Sequence, residues 1–357
     1  MLARRLPLAP VVVALACSSS PSVVGSTDDA GTADSSTTTS GRGESEAGST
    51  TDEPGSSTSS VDPGSTTGDE TTGSTGRTDA CTPPDPTAAW MEAYQDEIVA
   101  RLSGLMPLPS GEMLTERSTP TNRAQAVDYL FDAFGELGLE PELHEYSGEA
   151  VGTNVFARLP ATNGSTEFIV IGAHFDTVPG SPGANDNATG VALVLSLARY
   201  LSSVPCRELN VVFVLFDQEE IGLVGSFEFA GLLDGNGLDV VAAHTVDQMG
   251  WDADEDRTIE LERADAGLLD FYATSAAERS VPLSPTTTGL TDHVSFRDWG
   301  FAAVGLTEEF VGGDTTPHYH LGTDTYDTVD FDYLASTTVV VHAAFAAALA
   351  PAGTIGG

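Results

Sequence analysis

The chain contains no lysine. Its 14 basic residues are all arginine, set against 53 Asp and Glu, for a formal net charge of −39 at pH 7. From residue 83 onward there are 42 acidic and 10 basic residues, so the excess belongs to the core-forming part and not only to a tail. Nucleic acid and anionic membrane surfaces both require cationic patches, so neither is an expected partner. A salt-rich habitat, where self-repulsion is screened, is compatible with such a surface. A GC-rich genome would explain the missing lysine but not the surplus of acid. Cysteine is scarce, with three residues, and there is no internal repeat. Long apolar runs are lacking too: beyond the first residues, no segment reads as a membrane span.

What is present divides the chain. Arg4 and Arg5 precede an apolar run from Leu6 to Ala16, interrupted by Pro7 and Pro10 and too short to span a bilayer, which outlines a secretory signal over residues 1–17. Leu15-Ala16-Cys17-Ser18 resembles a bacterial lipobox, which would leave Cys17 lipidated, whereas Ala14-Leu15-Ala16 equally resembles an ordinary cleavage site. The expectation is an exported protein, either a lipoprotein of the outer membrane or a periplasmic or secreted one. Residues 18–82 are dominated by Ser, Thr, Gly and acidic residues. They carry too little apolar surface to offset the entropy of ordering, and are expected to form a disordered linker. Periodic apolar segments then run through 83–350, one catalytic domain of ordinary size, followed by a short tail over 351–357. In an exported protein, Cys81 and Cys206 suggest a disulfide, with two separate thiols as the alternative.

Within the domain the apolar periodicity predicts helices over Thr87–Leu102, Thr121–Leu137, Asn187–Leu201, Gly225–Leu233, Ala266–Glu278 and Phe331–Leu349. Strands are predicted over Glu142–Tyr146, Thr153–Leu159, Glu167–Ala173, Leu209–Phe216, Leu238–Val246 and Phe301–Leu306. Strands separated by helices imply an α/β fold, a three-layer sandwich around a mostly parallel or mixed sheet. Ligands in such folds gather at the carboxyl ends of the strands. Here those ends are followed by His174-Phe175-Asp176 and then Asp186, by Asp217-Gln218-Glu219-Glu220, by Asp247, and by a loop holding His318, Tyr319 and His320. Any one of these alone reads as a core histidine or a solvated helix start. Together they read as a site.

The segment GAHFDTVPGSPGANDNATG, from Gly172 to Gly190, resembles the signature of the M28 family of zinc peptidases. FDQEEIGLVGS, Asp247 with Met249-Gly250, Asp292-His293 and HYHLGTDTYD are similar to later blocks of that family, in the same order. HFDTVP also occurs in the M20 family, but the short gap from His174 to Asp186 favours M28. The likeness covers most of residues 85 to 348. It implies a zinc-dependent exopeptidase-like fold with two Zn²⁺ per chain: Asp186 bridging both, His174 and Asp247 completing one site, Glu220 and His320 the other. Imidazole and carboxylate donors suit zinc, although Mn²⁺ or Co²⁺ would accept the same set. Glu219, next to a ligand, is the candidate general base. Asp176 would accept the far N–H of the His174 ring. The resemblance gives Tyr319 a hydroxyl that bonds the tetrahedral intermediate.

His318 is the alternative ligand to His320, but Thr323-Asp324-Thr325 follows His320 as it follows the family's ligand histidine. His144, His244, His293 and His342 are expected to be structural or at the surface, with Asp292-His293 able to line a substrate pocket. The implied activity is removal of N-terminal residues from peptide substrates, since an acidic pocket attracts a free α-ammonium. A carboxypeptidase of the same family would want an arginine clamp for the terminal carboxylate. Glutaminyl cyclase shares this fold but uses a single zinc. A non-catalytic binding module should lack a ligand or the base.

Overall fold

The computed structural model describes residues 81–148 and 150–352. The signal segment with Cys17, the linker as far as residue 80 and residues 353–357 lie outside the described residues. Cys81 and Cys206 are joined by a disulfide, with Cα atoms 5.2 Å apart and 125 residues between them in sequence. It ties the start of the domain to the loop that feeds a core strand.

Seven α-helices and eight strands alternate along the described chain: α1 (Met91–Leu102), α2 (Pro120–Glu136), β1 (Pro141–Ser147), β2 (Val151–Leu159), β3 (Glu167–His174), α3 (Gly190–Ser202), β4 (Asn210–Phe216), α4 (Val224–Gly235), β5 (Asp239–Asp247), β6 (Ile259–Glu262), α5 (Ala266–Arg279), β7 (Leu283–Thr286), α6 (His293–Asp298), β8 (Ala303–Thr307) and α7 (Phe331–Leu349). The strands form one mixed sheet in the order β1-β2-β4-β3-β5-β8-β6-β7. The middle of it, β4-β3-β5-β8, is parallel throughout. Residues such as Ile169–Ala173 and Val211–Phe216 are buried on both faces, as a doubly covered parallel sheet requires.

Two apolar layers clamp the sheet. The larger gathers α1, α2, α3, α5 and α7 around Leu193, Leu197, Phe213 and Phe345; the smaller packs α4 and α6 through Phe229 and Phe296 onto Phe216 and Val214. Each fully buried aliphatic or aromatic side chain contributes roughly 1.5–3 kcal/mol, and this rigidity holds the strand ends in register.

The α/β architecture agrees with the sequence reading, and the departures have local causes. α3 begins at Gly190 rather than Asn187, because Ala184–Thr189 forms a wide π-type turn with non-helical torsions at Asp186 and Asn187. The cap of α2 is Thr119, whose hydroxyl accepts from Asn122 N at 3.2 Å. β6, β7 and α6 were not anticipated. β6 is four residues with two glutamates, β7 carries a proline on the sheet edge, and α6 spans fewer than two turns. Contrary to expectation, α7 is long and apolar enough to cross a bilayer. Its apolar residues are spent on the core, because it packs against α1, α3 and α5.

Closing a loop of this length by a disulfide stabilises by restricting the unfolded chain. Cys206→Ser should lower the unfolding free energy by about 2–4 kcal/mol, read as a shifted urea midpoint. An unchanged midpoint would mean the bridge contributes nothing.

Candidate metal centre

The site grows from four strand ends. β3 terminates at His174, β5 at Asp247, β4 runs into the Asp217–Glu220 turn, and the segment after β8 brings Tyr319 and His320. Asp186 enters from the Ala184–Thr189 turn, where the Asp186–Asn187 peptide is cis. The Asn187 side chain ties this turn to β5, donating to Val246 O at 2.8 Å and accepting from Gly190 N at 3.0 Å and Gln248 N at 3.1 Å.

Asp186 faces both ways. Its Oδ1 lies 3.4 Å from His174 Nε2 and its Oδ2 lies 3.3 Å from His320 Nε2. His174 Nε2 is also 3.3 Å from Asp247 Oδ1, and His320 Nε2 is 3.0 Å from Glu220 Oε2. Ligand atoms of His174, Asp186 and Asp247 lie within 4.8 Å of one another, as do those of Asp186, Glu220 and His320, and those of His174, Glu219 and Glu220. Glu220 Oε1 and His174 Nδ1 are buried without a hydrogen-bond partner. Two nitrogen-and-carboxylate sets sharing one carboxylate are a donor arrangement that fits borderline dications such as zinc.

Carboxylates also build the walls. Asp176 accepts from Glu219 N at 3.0 Å and Glu220 N at 3.3 Å. Its distance to His174 Nδ1 is 3.5 Å, long for a hydrogen bond. Asp176 therefore grips the Glu219–Glu220 turn more firmly than the imidazole it was expected to orient. Asp324 accepts from Asn185 N at 2.8 Å and Asp186 N at 3.0 Å. Glu308 accepts from the Asn185 side chain at 2.9 Å and from Gly250 N at 3.3 Å.

Behind them sits Arg117, fully buried and forming no ion pair with a carboxylate among the described residues. Its guanidinium donates to four carbonyls: those of Phe175, Leu102, Pro182 at 2.8 Å and Gly183 at 2.9 Å. It thereby pins the segment between His174 and Asp186. Gly183 has φ +65°, and a Cβ there would lie 2.7 Å from Arg117 Nη2, so only glycine leaves room for the guanidinium. Burial pulls the Arg117 pKa down to about 10 against the pull of Asp324, Asp176, Asp186 and Glu220.

Burial, with like charge crowded around it, shifts several groups of the centre. Burial, reinforced by Asp292, Asp247 and Glu220, holds Glu219 well above the usual carboxylate range. Burial likewise raises Glu220 and Asp247 and pushes Asp292 up to about 7. Burial would lower His174, but Asp247 and Glu219 hold it well above an ordinary imidazole. Groups raised in this way favour their protonated forms, and a bound dication would displace those protons.

All eight predicted site residues converge, with Tyr319 stacked on His320 at 3.8 Å between ring centroids. His318 turns away, toward Thr323 Oγ1 at 3.0 Å and the Trp251 ring. His244, His293 and His342 are buried, and His144 is half-buried beside Asn154. Arg117, a lone arginine, carries no sequence signal, whereas Glu308 directly follows β8 and so shares the strand-end position that marks the other acids. Asp324 stood in the noted Thr-Asp-Thr continuation, yet its grip on Asn185 and Asp186 could not be read from spacing.

A doubly wound α/β domain with a histidine–carboxylate cluster across its strand ends defines a metal-centre scaffold of the exopeptidase type. Residues 154–345 match peptidase family M28, and the chain belongs to that family. Among curated proteins it is 30% identical over 188 residues to aminopeptidase YwaD of Bacillus subtilis, covering 50% of this chain and 40% of that protein. It is 28% identical over 214 residues to the probable lipoprotein aminopeptidase LpqL of Mycobacterium tuberculosis, covering 50% and 41%. The chain thus spans about two-fifths of the length of these relatives. Among solved structures, the zinc aminopeptidase of Bacillus subtilis superposes with TM-score 0.53 at 25% identity, over 57% of this chain and 51% of that one. A glutaminyl cyclase of Bacteroides thetaiotaomicron superposes with TM-score 0.60 at 16% identity, over 70% and 96%, which is a likeness of fold alone.

Arg117→Met would take the guanidinium's donors from the Phe175, Leu102 and Pro182 carbonyls, leaving Gly183 O only the Ala188 amide, and would remove the buried arginine behind the centre. A loss of about 3–5 kcal/mol is expected, measured by urea unfolding in the presence of chelator. A loss below about 1 kcal/mol would be too small for a buried cation of this kind and would refute the pinning role.

Proposed function

We propose that the chain is a dinuclear zinc exopeptidase that removes N-terminal residues from peptides outside the cytoplasm. The observation that carries this is Asp186, whose two oxygens each face a histidine, with Asp247 beside one and Glu220 beside the other. In this reading His174 and Asp247 hold one zinc, Glu220 and His320 the second, and Asp186 belongs to both. When bound, the pair supplies Lewis acidity toward a water molecule and the scissile carbonyl.

The protein's own groups do the rest. Glu219 is half-buried, forms no ion pair among the described residues, and sits beside the ligand set. Its raised pKa suits a group that takes a proton from the attacking water and delivers it to the leaving amine. Asp176 holds the Glu219 and Glu220 amides, fixing where both carboxylates point. Tyr319 lines the same pocket as Glu219, Asp247 and His320, where its hydroxyl can donate to an oxyanion.

The direction of attack follows from charge. No arginine lines the pocket, and lysine is absent from the chain. A peptide carboxylate finds no clamp there, whereas a free α-ammonium finds acidic walls. YwaD and LpqL, an aminopeptidase and a probable aminopeptidase, point the same way. LpqL's description as a lipoprotein also supports reading the apolar N-terminus before Cys17 as an export signal, with lipidation at that cysteine. Strong negative charge argues against nucleic acid as a partner.

Glu219→Gln should retain two zinc equivalents and native stability yet lose at least about 100-fold in kcat; wild-type turnover would reject the base. Asp186→Ala should lose both metals, and two equivalents still bound by elemental analysis would overturn the bridge. On aminoacyl-p-nitroanilides and N-blocked peptides, free N-termini alone should be cleaved, in a chelator-sensitive manner. Cleavage of blocked substrates in preference would overturn the aminopeptidase reading.

A further inference from the structure

The pocket beside Asp247 extends down the sheet to a carboxylate that the chemistry above does not use. Glu262, on β6, is 1% exposed and lines this pocket together with Gln248, Leu290, Phe310 and Tyr319. Its Oε2 accepts from Thr291 Oγ1 at 2.9 Å and lies 3.4 Å from His293 Nδ1. That imidazole is neutral, since burial drops its pKa to about 4. No arginine pairs with Glu262 among the described residues. Burial with no cation beside it pushes the Glu262 carboxyl up to about 7, and a bound cation would favour its ionised form.

The surroundings favour a donor-rich cation. Gln248 Oε1 is buried on the same pocket without a partner, another acceptor waiting for a donor. Gly305 faces Glu262 across the β6–β8 pair, and a Cβ there would lie 2.8 Å from Glu262 Oε2 and 2.7 Å from His293 Nδ1. The glycine leaves space for the acid. At the mouth, Leu290 is 64% exposed and Tyr319 37%, so the pocket opens to solvent.

Register gives the depth. Asp247 stands beside Thr307 and Thr307 beside Glu260, whereas Thr245 stands beside Gly305 and Gly305 beside Glu262. Glu262 therefore lies two residues below the level of Asp247, about 7 Å along the strand. An α-ammonium, one bond from the reacting residue's Cα, stays near the upper level. A long unbranched side chain reaches the lower one.

Resting on the exopeptidase reading above, we infer that Glu262 is a specificity residue that receives the side chain of an N-terminal arginine or lysine. The guanidinium or ammonium completes Glu262, and the stem lies along Leu290 and Phe310. Arginine, with five donors, also satisfies Gln248.

The test compares the p-nitroanilides of arginine, lysine and leucine on the full zinc-loaded chain, with calorimetric binding of L-argininamide and L-leucinamide as a readout independent of turnover. Arginine and lysine should exceed leucine by at least about tenfold in kcat/KM, as expected for a hydrogen bond to a buried charge. Glu262→Gln should collapse that ratio, and with it the preference for argininamide. Leucine equal to or better than arginine in the wild type would overturn the inference, whether or not the variant folds. So would an equal fall on all three substrates, which would assign Glu262 to the α-ammonium, or an unchanged ratio, which would leave it holding Thr291 and His293. Failure to cleave any of the three would count against the exopeptidase reading instead, and the two amides would then decide the pocket's preference.

Discussion

The structure is organised around a concentration of largely buried carboxylates. Asp186, Asp247, Asp176 and Asp324 are all buried within one small region, with Glu219 and Glu220 half-buried beside them. Carboxylates so placed repel one another unless each finds donors. Backbone amides satisfy some: Asp176 takes those of Glu219 and Glu220, and Asp324 those of Asn185 and Asp186. These bonds do two things at once. They lower the cost of the charge, and they fix the turns that carry the neighbouring acids. Arg117 supplies the opposite charge at longer range while its N–H groups are spent on carbonyls, so it shapes the segment without occupying a ligand position.

That arrangement is affordable only on a stiff support. The central strands β4-β3-β5-β8 are parallel, so their carboxyl ends arrive at one edge, and apolar layers on both faces keep them there. The acids lie at the ends of runs such as Ile169–Ala173 and Val211–Phe216, so burial of the strands carries the burial of the site. Loosening either layer would shift the donors and acceptors at the strand ends.

Much of this was legible in the sequence for physical reasons. Doubly buried strands read as continuous β-branched and aromatic runs, and the residues just after them were histidine and acids. Order along the chain therefore became position on the sheet. What was not legible depended on long-range pairing. Ile259–Glu262 alternates apolar and acidic residues over only four positions, and its role as a strand emerges from pairing with β8. Arg117 precedes α2 in a polar segment, and nothing local distinguishes it from a surface arginine. The start of α3 was misplaced because Asp186 and Asn187 leave helical torsions to turn Asp186 into the cluster, so the helical pattern overran a functional kink.

The adjacent acids Glu219 and Glu220 illustrate how backbone shape can divide roles that composition leaves equal. Gln218, just before them, has φ +63°, and Leu223, just after, has φ +61°. Left-handed residues at both ends turn the chain sharply, while Asp176 holds the amides of Glu219 and Glu220. Glu220 is thereby directed to His320 at 3.0 Å, whereas Glu219 forms no ion pair among the described residues and lines the pocket beside Asp247. A ligand must give its lone pairs to a metal, and a proton carrier must keep one free. Two identical side chains one residue apart meet both demands only because the turn between the strained residues separates them. The chemistry proposed for this edge therefore depends on the torsions of Gln218 and Leu223 as well as on the carboxylates.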